Sequence, residues 1–328
     1  MKEIIWIPEE DMKPVYTVDV LGDRQKERAN WGIKACNIPE AWKEHKGEGV
    51  KIAIVDTGMP WHDDINKNIT GDSKNFTKES TVLDKNGHAT HCAGIVGALQ
   101  NGYGVVGVAP KAILYFYKAL DKNGSGSFSA IAEAIREAVK DKVDIISLSL
   151  GATIGVRVLQ DACMFAYNHN VIIFAAAGND SKNVNYPARY NTCIAVSAIN
   201  RNFKLAYFSS RGKTVDFGGP GVEILSTWLN NGYAMLSGTS MACPFIAGVG
   251  ALILAKHRMA GGNTPVRNMH EMIEHMKRFC TDLGEVGKDK YFGYGVPDFK
   301  NNPDDYIEPE KPKKEPSWWQ IVLGWLGL

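Results

Sequence analysis

Four short runs of the chain are apolar almost without interruption: VKIAIVDTG at 50–58, AILYFYKAL at 112–120, DIISLSLG at 144–151 and VIIFAAAGN at 171–179. Their β-branched content and lack of polar alternation predict strands buried on both faces, as in a parallel sheet. The segment IAEAIREAVKD, between the second and third runs, repeats differently. Ile131, Ile135 and Val139 recur every four residues, while Glu133, Arg136 and Glu137 face the other way, the spacing of a helix with one buried side. Alternating strands and helices predict an α/β fold in three α/β/α layers around a central, mostly parallel sheet. Functional residues then belong at the C-terminal ends of strands, where Asp56 and Asn179 sit.

Outside this alternation the pattern changes. Residues 1–24 are mixed and proline-bearing and read as an extension; 25–300 read as one domain. Residues 301–316 are rich in Pro and charge and read as a linker. The end, 317–328, is WWQIVLGWLGL after Ser317, too short to span a bilayer but apolar enough to dock on the domain, a partner or a membrane surface; the alternative is a disordered tail. No run of about 18 apolar residues predicts a transmembrane helix.

With 328 residues, 45% of them hydrophobic, the chain can bury one large core. Lys plus Arg number 37 against 36 Asp plus Glu, so no field favours nucleic acid or an anionic membrane. The opening MKEIIWIPEEDMKP meets acidic residues and prolines too soon for a secretory signal, which gives a cytoplasmic expectation. Cys36, Cys92, Cys163, Cys193, Cys243 and Cys280 have no metal-ligand spacing and read as buried free thiols.

Three local signatures follow one another: AIVDTG around Asp56, NGHATHCAG around His88 and SGTSMACP around Ser240. A serine hydroxyl is a weak nucleophile until a base takes its proton. A histidine titrates near neutrality and can do so, and a carboxylate can hold its tautomer and stabilise the imidazolium. Ser240 precedes MACPFIAGVGALILA and so opens a long buried helix, with Pro244 in its first turn. The positive helix end and the Ser240 N–H then face a developing oxyanion. His91, one turn beyond His88, and His62 are competing bases; His91 reads as structural.

In the order Asp, His, Ser these signatures resemble the subtilisin family over residues 30–298, most closely the intracellular subtilisins, with Ala89 standing where that family usually has Gly. The resemblance implies a subtilisin-like fold and a serine endopeptidase acting on polypeptides. It assigns Asp56, His88 and Ser240 as the triad and the Asn179 side chain as second oxyanion donor. Gly124, Ser125 and Gly126 on one side and Ser149, Leu150 and Gly151 on the other would hold the substrate as an added β-strand, with Phe128 lining a distal pocket and the glycines giving the substrate backbone room. A flexible turn at Gly124–Gly126 is the alternative.

The resemblance also implies a structural calcium site: carbonyls of Leu99, Tyr103 and Val105, the Asn101 side chain, the Asp64 carboxylate, and a ligand from Gln25 or Lys26. A tight glycine turn without metal is the alternative. Ile5, Trp6, Ile7 and Pro8 resemble the inhibitory extension of intracellular subtilisins, against a disordered leader. A peptide transferase or ligase, and a pseudoprotease that only holds peptides, are the other functional readings. A second copy of the chain is a further candidate partner.

Overall fold

The computed structural model describes residues 4–6, 16–18, 26–69, 73–259 and 266–301; the linker and tail at 302–328 lie outside them, as do Ile7, Pro8 and Gln25. Seven strands form the central sheet: Lys51–Asp56 (β1), Lys74–Asn75 (β2), Ile113–Lys118 (β3), Ile145–Leu148 (β4), Ile172–Ala176 (β5), Ile194–Ile199 (β6) and Val215–Pro220 (β7). Their order is β7-β6-β5-β4-β1-β3-β2, and every pair is parallel. The four apolar runs became β1, β3, β4 and β5, each shorter by a few residues because the run continues into the loop that leaves the strand.

Alternation along β1 divides the core. Ile52 and Ile54 pack on one side, against Cys92, Ile95 and Val96 of helix His88–Gly97 (α1) and Ala242, Ile246 and Val249 of helix Thr239–Met259 (α4). Ala53 and Val55 pack on the other, against Ile131 and Ile135 of helix Phe128–Lys140 (α2) and Leu159 and Ala162 of helix Arg157–Asn168 (α3). Each of the Ile, Leu and Val side chains among them contributes about 1.5–3 kcal/mol when fully buried. The layers are therefore α/β/α. Within α2 the predicted inner face is buried, and the Ser127 hydroxyl caps the helix by accepting from the Ala130 N–H at 3.1 Å.

Among the described residues α4 is the one helix long and apolar enough to cross a membrane, and 94% of its most apolar window is buried inside the domain. It is the long buried helix expected after Ser240, a core helix. All six cysteines are free and five are buried, with Cys280 intermediate.

β1 has β4 on one side and β3 on the other, so the chain's winding reverses there. The crevice at the carboxyl ends of strands at such a reversal is where α/β folds bind ligands. Asp56 ends β1, Ser149 follows β4 and Asn179 lies just beyond β5.

Candidate active site

Asp56 is 1% exposed, and both of its carboxylate oxygens lie 2.9 Å from His88 Nδ1. Its Oδ1 also accepts from the Thr57 N–H at 2.7 Å. A carboxylate at Nδ1 makes that nitrogen the protonated one and turns the basic lone pair onto Nε2. Nε2 is buried and has no hydrogen-bond partner among the described residues. Burial works against the imidazolium, but the Asp56 carboxylate outweighs it and holds the His88 pKa well above the ordinary histidine value.

His88 opens α1, whose N-cap is Gly87 at φ 103, a residue with no side chain to cap with. Asp84 supplies the missing acceptor. Its Oδ1 accepts from the Thr57 hydroxyl and the N–H groups of Asn86 and Gly87, each at 2.9 Å; its Oδ2 accepts from Thr90 N–H at 2.9 Å and the Thr90 hydroxyl at 2.7 Å. One carboxylate therefore ties the Asp56–Thr57 turn to the first turn of the histidine helix and sits favourably at its positive end. Ala89 is buried and donates its N–H to the Thr57 hydroxyl at 3.0 Å, so the methyl that replaces the usual glycine is accommodated. Lys118, level with Asp56 on β3 and fully buried, donates to the Thr57 carbonyl and pairs with Glu79 at 2.9 Å.

Ser240 is the second residue of α4 and 3% exposed. Its hydroxyl donates to the Ser149 carbonyl at 3.3 Å, and its own carbonyl accepts from Ser149 Oγ at 2.9 Å. Cys92 bridges toward the histidine, its sulfur 3.4 Å from the Ser240 carbonyl and 3.8 Å from His88 Nδ1. Pro244 lies in the second turn of α4, not the first as expected, and the carbonyl its missing N–H would have met is that of Ser240.

Asn179 is held by the residue before Ser240: its Oδ1 accepts from Thr239 N–H at 2.9 Å and from the Thr239 hydroxyl at 2.8 Å. An amide N–H can only donate, so this contact fixes which end of the Asn179 amide is oxygen and turns the NH2 away from Thr239. Replacing Asn179 with Ala is expected to lower kcat by about 10²–10³ with little change in KM, the loss seen on removing such a donor from a subtilisin; steady-state kinetics on a short peptide substrate checks this.

The competing histidines are committed elsewhere. His91 Nε2 lies 3.0 Å from the Ala234 carbonyl, and burial brings its pKa down to about 3. His62 places Nε2 2.9 Å from the Gly232 carbonyl and accepts the Asp64 N–H on Nδ1 at 3.1 Å.

On the substrate side, Ser125–Ser127 is a short strand and Phe128 is buried in the wall of a cleft of about 670 Å³ that also includes Phe76, Glu79, Gly126 and Val158. Gly126 has a structural reason to be glycine beside the expected one. A Cβ there would stand 2.3 Å from the Ala119 carbonyl oxygen, so the demand comes from the domain's own backbone. Gly124, at φ 73, forms the turn into the strand. Leu150 is buried, and Gly151 precedes the Ala152–Tyr186 bridge. The edge of Ser125–Ser127 is occupied by the chain's own Ile4–Trp6, antiparallel, with Ile4 opposite Ser127, Ile5 opposite Gly126 and Trp6 opposite Ser125. Tyr16–Val18 pairs antiparallel with Gly232–Leu236.

The profile of the Subtilase family matches residues 47–295, from the turn before β1 to the residue before the short strand Val296–Pro297, and takes in Asp56, His88, Asn179 and Ser240. The chain belongs to the subtilase family. As a subtilase it is a serine endopeptidase, and neither the transferase nor the pseudoprotease reading is supported. It is 41% identical over 290 residues to the minor extracellular protease Epr of Bacillus subtilis, covering 87% of this chain and 44% of that protein. It is 42% identical over 233 residues to thermitase of Thermoactinomyces vulgaris, 70% of this chain and 84% of the other. Against Subtilisin Savinase of Lederbergia lenta it is 40% identical over 258 residues, 78% and 93% of the two chains.

Around Asp64 this subtilase gathers Leu99, Asn101, Tyr103 and Val105. Asp64 is fully buried; its Oδ1 accepts from Asn101 Nδ2 at 2.8 Å, its Oδ2 from the Val105 N–H at 2.9 Å and the Tyr233 hydroxyl at 2.8 Å, and its carbonyl from the Leu99 N–H at 2.7 Å. Gln25, one of the two residues expected to add a ligand, lies outside the described residues; the neighbouring Glu27 reaches the loop, its Oε1 accepting from the N–H groups of Asn101 at 2.8 Å and Gly102 at 3.0 Å. The parallel pairing of Arg28–Ala29 with Val105–Val106 sets this register.

Proposed function

We propose that this subtilase hydrolyses peptide bonds through an acyl-enzyme on Ser240, with His88 as base and Asp56 as its orienting carboxylate. The observation that carries the reading is the buried Asp56–His88 pair beside a serine at the start of α4. His88 Nε2 takes the Ser240 proton as the hydroxyl turns from the Ser149 carbonyl to attack, and returns it to the leaving amine. The Ser240 N–H and the Asn179 NH2 receive the oxyanion. Digesting a denatured polypeptide in water enriched in oxygen-18 tests this. Internal fragments whose new C-termini carry the label are expected; absence of fragments, or spliced products without label, overturns it.

The Ile4–Trp6 strand supports inhibition by the chain's own extension. It uses the edge a substrate would use, and its direction runs from Ser127 toward Gly124, with Ile7 and Pro8 following next in the chain. A proline in an extended inhibitory segment lacks a backbone donor and fixes φ, which would make such a segment a poor substrate. Full-length protein should show low peptidase activity, a form starting at Arg24 high activity, and Pro8→Ala faster self-processing. Equal activity of the first two from the earliest seconds of assay would contradict the inhibition.

Calcium fits the Asp64 loop by donor chemistry: two carboxylates, Asp64 and Glu27, the Asn101 side chain and the Leu99, Tyr103 and Val105 carbonyls offer oxygen alone, the set a hard divalent cation takes. The loop wraps its carboxylate so closely that a Cβ on Gly104 would fall 2.1 Å from Asp64 Oδ2. Bound calcium would supply stability and no catalytic chemistry. At a hundredfold excess over Kd it would stabilise the fold by about 2.7 kcal/mol. Chelation should therefore lower Tm, and Asp64→Ala should blunt that response; an unchanged Tm on chelating a demonstrably calcium-loaded sample speaks against the site.

A further inference from the structure

Pro244 has a consequence for the nucleophile. In an α-helix the carbonyl of residue 240 would accept from the N–H of residue 244, and proline has none. Ser240 is 3% exposed, so its carbonyl is cut off from water as well, and a buried carbonyl needs a partner. Ser149 provides it. Its hydroxyl, on a residue 1% exposed, donates to the Ser240 carbonyl at 2.9 Å, closer than the Cys92 thiol at 3.4 Å, which is a weaker donor. The same serine also receives the nucleophile, since the Ser240 hydroxyl donates to the Ser149 carbonyl at 3.3 Å. Ser149 and Ser240 therefore hold each other through two hydrogen bonds, one to the backbone and one to the side chain of the nucleophile.

We infer that Ser149, beyond lending its backbone to the substrate segment, is a positioning residue whose hydroxyl replaces the helical amide that Pro244 lacks. It fixes the Ser240 peptide, and with it both the direction of the oxyanion N–H and the origin of the Oγ. Small displacements of reacting groups are costly in rate, so the effect falls on turnover. The first residue after β4 thus ties the strand that presents the substrate to the helix that presents the nucleophile. The inference rests on Ser240 as nucleophile.

The test is a pair of variants in the form starting at Arg24. Ser149→Ala should lower kcat about tenfold, the scale of one lost hydrogen bond to a buried group, with KM within about twofold of the parent. Adding Pro244→Ala restores an N–H four residues beyond Ser240 and should bring kcat back to within about threefold of the parent. A purely structural Ser149 would show the loss in Tm without that recovery. Should Ser149→Ala alone not accumulate as folded protein, the double variant carries the same test. A kcat unchanged in Ser149→Ala, or unrecovered in a folded double variant, overturns the inference. Stoichiometric labelling of Ser240 by a phosphonate in the same samples shows whether the nucleophile assignment stands independently of that result.

Discussion

Replacing Ser240 with Ala will lower kcat by about 10⁶-fold while the fold and peptide binding persist, the size of loss found when a subtilisin loses its nucleophile. The side chain removed is one oxygen at the start of a helix whose following residues, Met241, Ala242 and Cys243, are fully buried. That core is untouched, so Tm should stay close to that of the parent. His88→Ala should cost about as much. The double variant should cost little more than either alone, because a base without a nucleophile and a nucleophile without a base fail at the same step. Losses that multiplied in the double variant would mean that the two residues act separately, which would contradict the proposed mechanism.

Asp56→Asn should lower kcat by about 10⁴-fold, and it should also move the pH profile. Neutral His88 is the base, so kcat/KM falls as pH drops through the His88 pKa of the free enzyme. In the parent, burial opposes the charged ring and the Asp56 carboxylate more than offsets it, placing that acid limb above the ordinary histidine range near about 6.5. Removing the carboxylate leaves burial opposed by the neighbouring Cys92 alone, and the pKa falls. The acid limb of the variant should therefore lie at lower pH than that of the parent, on a much lower plateau. An acid limb that stayed in place would mean that a group other than His88 controls it.

Much of this was readable in the chain because its strongest signals are local. β1, β3, β4 and β5 are unbroken apolar runs, and α2 carries a clean four-residue spacing. β6 and β7 were not read: IAVSAI and VDFGGP rely on small residues, and their burial comes from what packs over them. The proposed triad was legible because each member sits in its own short signature. Its supports were not, since they are defined by contact. Asp84 caps α1 from four residues upstream of His88 and is recognisable only once Gly87 is known to be the N-cap. Lys118 ends an apolar strand and looks like a boundary, yet it is buried against Thr57 and Glu79. Glu27 lies against the Asp64 loop because the pairing of Arg28–Ala29 with Val105–Val106 decides the register that the spacing around Gln25 and Lys26 left open. Pro244 was seen and misplaced by one helical turn, which concealed the tie between Ser149 and Ser240.

The most direct test of the nucleophile is active-site titration of the form starting at Arg24 with a serine-directed phosphonate, followed by proteolytic mapping of the adduct. One adduct per chain, on Ser240, with activity lost in proportion to labelling, is the predicted result. An adduct on another residue, or full peptidase activity without labelling of Ser240, would contradict it.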